Sequence, residues 1–174
     1  MRREYSMIEI RYAQPGDARA LGEIQSSSWR AAYKGVVPDC VLAAYTPEAR
    51  EKPFEGFLAT GESRNAIAFY DGRPAGWTCF EKCRDADADA SRGEIWGIYV
   101  SPAYWRRGIG SKLLFWTIDE FKAIGFTSAS LWVLEENANA RAFYEHHGFK
   151  PDSAKKELEI GKKLKVVRYV KETI

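Results

Sequence analysis

No stretch of this sequence approaches the ~18 consecutive apolar residues that a membrane-crossing helix needs, so no membrane partner is expected. Cysteine is scarce and odd in number, with only Cys40, Cys79 and Cys83. A chain of 174 residues is long enough to fold without staples, so reduced thiols are expected rather than a disulfide framework. An excess of one charge sign is also missing: the formal net charge is +2, which excludes a strongly basic nucleic-acid binder. Polar Glu9 and Arg11 follow soon after Met1 and interrupt any signal-peptide core, so a cytoplasmic address is expected. Repeats, linkers and low-complexity segments are absent as well.

What is present is a core. At 45% hydrophobic and 14% aromatic, the chain is too apolar for disorder, and it reads as one soluble globular domain over residues 1–174. Ile8-Glu9-Ile10-Arg11 alternates like a strand, and Pro15-Gly16-Asp17 turns into a helix carrying Leu21, Ile24 and Trp29 at near-helical spacing. Residues 35–42, with Gly and Pro, break that helix before a second one over 47–58. Two strand-like runs, 66–70 and 75–80, flank Asp71-Gly72-Arg73-Pro74 and form a hairpin. A polar loop over 84–89 precedes a strand at 94–100. A helix then covers 108–124, a strand 127–134, a helix 137–147 ending at Gly148, and a closing strand 163–170. Interleaving of this kind predicts an α/β domain with a mixed sheet.

The informative segment starts in the strand Glu94-Ile95-Trp96-Gly97-Ile98-Tyr99-Val100. Glycine inside a strand packs nothing and often marks a bulge or a close backbone approach. After Ser101-Pro102, the run Arg106-Arg107-Gly108-Ile109-Gly110-Ser111-Lys112 opens a helix, where unpaired amides and the positive end of the helix dipole attract phosphate. Taken alone, the run fits a tight turn as well as an anion site. It is not a Walker-type loop, because the order is Gly110-Ser111-Lys112, and Leu113 stands where a dinucleotide fingerprint needs its third glycine.

These residues resemble the acyl-CoA motif of the GNAT superfamily of N-acetyltransferases, Gln/Arg-x-x-Gly-x-Gly/Ala after a strand, with Trp105 in the Gln/Arg position. A second block, Asn137-Ala138-Asn139-Ala140-Arg141-Ala142-Phe143-Tyr144-Glu145-His146-His147-Gly148-Phe149, is similar to that family's Asn-x-x-Ala-x-x-Phe-Tyr-x-x-x-Gly-Phe at every marked position. The resemblance is firm over residues 94–150. It implies a single-domain fold with a mixed, mostly antiparallel sheet of about six or seven strands, splayed at the centre and flanked by about four helices. It also implies acetyl-CoA as donor, a small-molecule or peptide amine as acceptor and no metal. Dimerisation is common in the family.

By the same resemblance, Arg106, Arg107, Gly108, Ile109, Gly110 and Ser111 hold the CoA pyrophosphate, and the backbone of Ile98, Tyr99 and Val100 binds the pantetheine arm. An alkyl amine, with pKa near ~10.4, is about one part in 10³ neutral at pH 7, so a base is useful and the departing thiolate needs an acid. Tyr144 matches the tyrosine that the family sets beside the CoA sulfur, against its plain reading as a core ring. Glu94 stands eleven residues before Trp105, where histone-acetylating members carry a catalytic glutamate, against its reading as a solvated strand-end carboxylate. Ribosomal-protein acetylating members place a glutamate where Trp132 stands; Glu135 and Glu136 are nearby substitutes. Asn137 reads as a ligand of the CoA arm, a helix N-cap or both. Trp29 and Tyr33, one helical turn apart, read as walls for an acceptor amine or as core. The competing class is a CoA-binding sensor that has lost catalysis.

Three further features carry nothing by spacing. Asp85-x-Asp87-x-Asp89 opens like a calcium loop, but Ala90 and Trp96 stand where its glycine and distal glutamate belong, so it reads as a solvated loop. His146-His147 has no acid or cysteine at metal spacing, and Cys79 with Cys83 has no second ligand pair.

Overall fold

A computed structural model describes residues 6–174; residues 1–5, the start of the segment read for a leader, lie outside the described residues. Strand β1 (Ile8–Tyr12) leads through a 3-10 turn (Pro15–Asp17) into α1 (Ala18–Ala32), followed by a short α2 (Asp39–Ala44) and α3 (Pro47–Thr60). Then come β2 (Arg64–Tyr70), β3 (Arg73–Lys82), β4 (Arg92–Val100), α4 (Ile109–Ile124), β5 (Ser128–Leu134), α5 (Ala138–His146), β6 (Lys150–Glu159) and β7 (Lys163–Lys171). One sheet of seven strands runs in the order β1-β2-β3-β4-β5-β7-β6, and every pairing is antiparallel except β4 with β5.

Alternation along β3 explains the layering. Trp77 and Cys79 enter a cluster with Leu21 and Ile24 of α1 and Phe54 of α3, while Phe80 points the other way to Leu114, Ile118 and Phe121 of α4. Thr78 follows Phe80 and meets Thr117 of α4. With both faces covered, β3 is buried without a break from Ala75 to Phe80. The hairpin between β2 and β3 closes with Tyr70 opposite Arg73, leaving Asp71 and Gly72 as the loop at φ 49° and 76°. Positive φ at both is what a two-residue turn matching the strand twist requires.

Two elements depart from the sequence reading. α2 lies inside the segment read as an irregular break, and its six residues are too few to show a helical period. β6 had no counterpart in that reading. Pairing only with β7 at the sheet edge, it is exposed along nearly all of its length, so its sequence KPDSAKKELE has no buried face to impose alternation.

The sheet parts at its centre. β4 and β5 pair only from Arg92 opposite Ser128 to Ile95 opposite Leu131, while β5 stays on β7 as far as Leu134. At the point of separation Cys79 faces Gly97 and Phe80 faces Ile95, so Trp96 is the extra residue of a β-bulge. A methyl group on Gly97 would lie 2.5 Å from the Tyr99 ring, which folds back over the strand and stacks on Trp77 at 5.2 Å. Glycine at 97 therefore serves the close approach of that ring.

Candidate functional site

Where the strands part, a continuous cavity of about 1210 Å³ opens, lined from α1, β4, the start of α4, β5, α5 and the β6 side of the sheet. Its glycine-rich end is shaped by backbone conformation. Arg106 (φ 60°) and Gly108 (φ 80°) both lie in the left-handed region, and Gly108 is the N-cap of α4. A side chain at Gly108 would meet nothing within 4 Å, so φ and not crowding calls for glycine there. The bond from the Lys112 N–H to the Gly108 carbonyl is 3.0 Å, which leaves the amides of Ile109, Gly110 and Ser111 without a helical acceptor. Such a turn cradles an anion.

The cationic side chains of this run diverge. Arg106 lines the cavity, whereas Arg107 donates to the Tyr70 hydroxyl at 3.3 Å with its guanidinium 5.1 Å from that ring's centre. Read as an anion ligand, Arg107 instead directs its charge at a phenol on β2. Ser111 is held by His147: the imidazole Nδ1 donates to the Phe143 carbonyl (2.7 Å), and Nε2 is hydrogen-bonded to the Ser111 hydroxyl at 3.0 Å. Trp105, in the Gln/Arg position, donates its indole N–H to the Val100 carbonyl at 2.7 Å. That bond ties the turn to the end of β4 and occupies one of the backbone acceptors read for a pantetheine arm. Beyond Ile95, the β5-facing edge of β4, with Ile98 and Tyr99, borders the gap.

Tyr144 of α5 lines the cavity, is 8% exposed and has no side-chain hydrogen bond among the described residues. Burial first, and the neighbouring Tyr99 phenol second, push its pKa above that of an ordinary phenol, so it stays protonated. Burial likewise raises Tyr33, whose hydroxyl faces the Asn137 side chain. Asn137 also caps α5, its Oδ1 accepting from the Ala140 N–H at 3.1 Å. Trp29 meets Tyr33 edge-on at 4.9 Å and stacks on Tyr45 at 4.3 Å; Trp29 and Tyr33 both line the cavity.

Glu94 also lines the cavity but is only 2% exposed, so it is not a solvated strand-end group. Its carboxylate accepts from the Arg84 backbone N–H (3.1 Å), Nε (3.0 Å) and a terminal nitrogen (2.7 Å). The Arg84 guanidinium in turn lies 4.0 Å from the Trp96 ring centre. Glu135, a substitute on sequence grounds, is bound to Lys155 at 2.7 Å, and neither it nor Glu136 lines the cavity.

Sequence reasoning passed over the far wall. Asp85, read as part of a solvated loop, accepts from the Trp132 indole at 3.0 Å and from Arg168 at 3.2 Å. Arg168, 6% exposed on β7, also pairs with Asp87 (2.7 Å) and Asp152 (2.7 Å). Asp89 instead caps Ser91 at 2.7 Å. The only available signal was compositional: an arginine inside the apolar run Val166-Val167-Arg168-Tyr169-Val170 must have buried partners.

No helix among the described residues is long and apolar enough to cross a membrane, and the three cysteines are free thiols. Residues 21–149 match the model of the acetyltransferase (GNAT) family. A mycothiol acetyltransferase of Beutenbergia cavernae is 44% identical over 63 residues, which is 36% of this chain but only 21% of that protein's length. A spermidine N(1)-acetyltransferase of Thermoplasma acidophilum is 25% identical over 148 residues, 82% of this chain and 88% of the relative. The crystal structure of a PaiA N-acetyltransferase from Thermoplasma acidophilum in complex with coenzyme A superposes with a TM-score of 0.72 at 22% identity, covering 95% of this chain and 99% of the other. The chain belongs to the acetyltransferase (GNAT) family.

Proposed function

We propose that this chain is a cytoplasmic N-acetyltransferase that moves an acetyl group from acetyl-CoA to a primary amine by direct attack in a ternary complex. The observation that carries the reading is the cavity where β4 and β5 part, joining an anion-binding turn to an aromatic end with Tyr144 on its wall. The unpaired amides of Ile109, Gly110 and Ser111 and the Arg106 guanidinium fit a diphosphate. The open edge of β4 fits an amide-bearing arm, with the Val100 carbonyl already bound to Trp105. The bound thioester supplies the activated acetyl carbonyl. Backbone N–H groups at the Trp96 bulge are the candidate donors to its oxygen. Tyr144, kept protonated by burial, gives its proton to the departing thiolate.

Glu94 is our candidate for the base, on its position at the bulge and in the cavity wall. Its three donors from Arg84 favour a second reading, in which it anchors Arg84 on Trp96 and bulk water takes the amine proton. Thiol release from acetyl-CoA against a panel of amines, with products weighed by mass spectrometry, tests the function. Acetylated amine with stoichiometric thiol is expected; CoA binding without turnover on any amine would leave a sensor.

A further inference from the structure

The acceptor end of the cavity is made mostly of rings and aliphatic side chains: Trp29 from α1 and Tyr33 just past its end, Trp96 from the bulge, Trp132 from β5, and Leu158 and Ile160 from the β6 side. Among the described residues the carboxylates lining it are Glu94 and Asp85, and neither is free. Glu94 is saturated by Arg84; Asp85 is shared between the Trp132 indole and Arg168.

Two of these rings, Trp96 and Trp132, already carry cations. Arg84 lies 4.0 Å from the centre of Trp96, and Lys156 and Arg168 lie 3.9 Å and 5.6 Å from that of Trp132. A cation over an aromatic face is how an aromatic cage holds a ligand ammonium, and here the protein's own cations fill those places. A second ammonium group would meet Arg84 or Lys156 and find no unpaired carboxylate. An apolar ring would instead find ring edges and the aliphatic side chains of Leu158 and Ile160.

We infer that the acceptor is a monoamine carried on an apolar aromatic body, and that polyamines are poor acceptors. The inference rests on the acetyl-transfer reading above, and it departs from the amine named for the Thermoplasma relative.

Two measurements on the same chain separate it from that reading. In thiol release, 2-phenylethylamine is expected to show a kcat/KM at least ~10-fold above those of 1,5-diaminopentane and spermidine. In calorimetric titration of the CoA-loaded chain, which needs no turnover, the affinities should fall in the same order. Lys156→Glu, which removes the cation over Trp132 from an exposed position of the edge strand, should narrow the contrast by improving the diamine several-fold. Diamine affinity equal to or above that of 2-phenylethylamine overturns the inference, as does a failure of 2-phenylethylamine to bind or an unchanged contrast in Lys156→Glu. If the affinity order holds while no amine releases thiol, acetyl transfer falls and the pocket assignment stands.

Discussion

The two ends of the cavity are built in opposite ways. The glycine-rich end is local: one turn, two left-handed residues and the N-terminus of the helix that follows them supply its amides within a few positions of chain. The acceptor end is assembled across the sequence. Arg168 on β7 reaches back 83 residues to Asp85 and 81 to Asp87, and through Asp85 it fixes the indole of Trp132 on β5. A site made of backbone depends on φ angles that few residues adopt. A site made of paired side chains depends on every partner being present, so the two should fail differently when mutated.

The largest effect should come from the long-range end. Arg168→Met leaves Asp85 and Asp152 partly buried without their cation, and removing one partner of a buried ion pair costs ~3 kcal/mol or more. Urea unfolding should show that loss with an unchanged m-value. Affinity for CoA in the molecules still folded should stay near the parent value. Equal weakening of CoA binding would mean that the two ends are not separable. The pairing also has a pH signature: Arg168 holds Asp87 down at about 2, so its contribution is present above the ordinary carboxylate range and fades only as pH falls toward that value.

Next in size is Tyr144→Phe, which removes one buried hydroxyl and should lower kcat by ~10² while leaving the KM for acetyl-CoA near the parent value. Because burial raises the Tyr144 pKa, the parent's kcat should not decline as pH rises through the ordinary phenol value near ~10. A decline there that disappears in the Phe variant would show the phenol titrating in its usual range, against the buried environment. Glu94→Gln compared with Arg84→Met divides the two readings of that pair. A base predicts that Glu94→Gln removes the acid limb of kcat/KM; an anchor predicts that the limb stays in both variants, which lose acceptor affinity by about the same several-fold factor.

The same contrast explains what the sequence could reveal. Six of the seven strands and the long helices follow from periodicity and turn signals, whereas the splayed centre was implied only by the resemblance of two contiguous motifs to the GNAT family. Glu94 could be singled out by position, yet its pairing with Arg84 could not, since ten residues of loop and strand separate them and only the β3–β4 register makes them neighbours. Asp85 looked solvated for the same reason: its partner Arg168 lies on the fourth strand after it in the chain. Arg107 had the right charge in the right run, but a left-handed residue precedes it and its side chain goes to Tyr70. β6 escaped because an edge strand with water on most of its side chains needs no apolar alternation.

Asn137 carries the smallest effect and the finest distinction, because it sits where the two ends meet. Its Oδ1 caps α5 through the Ala140 N–H, and its amide faces the hydroxyl of Tyr33 at the end of α1. Asn137→Ala removes the cap and should destabilise the fold by ~1 kcal/mol. Asn137→Asp keeps an acceptor oxygen for Ala140 at a helix N-terminus, where negative charge is favoured, so stability should return. If the residue is only a cap, the KM for acetyl-CoA returns as well. If its amide also donates to the donor's arm, the Asp variant regains stability while that KM stays raised several-fold, because a carboxylate accepts but cannot donate.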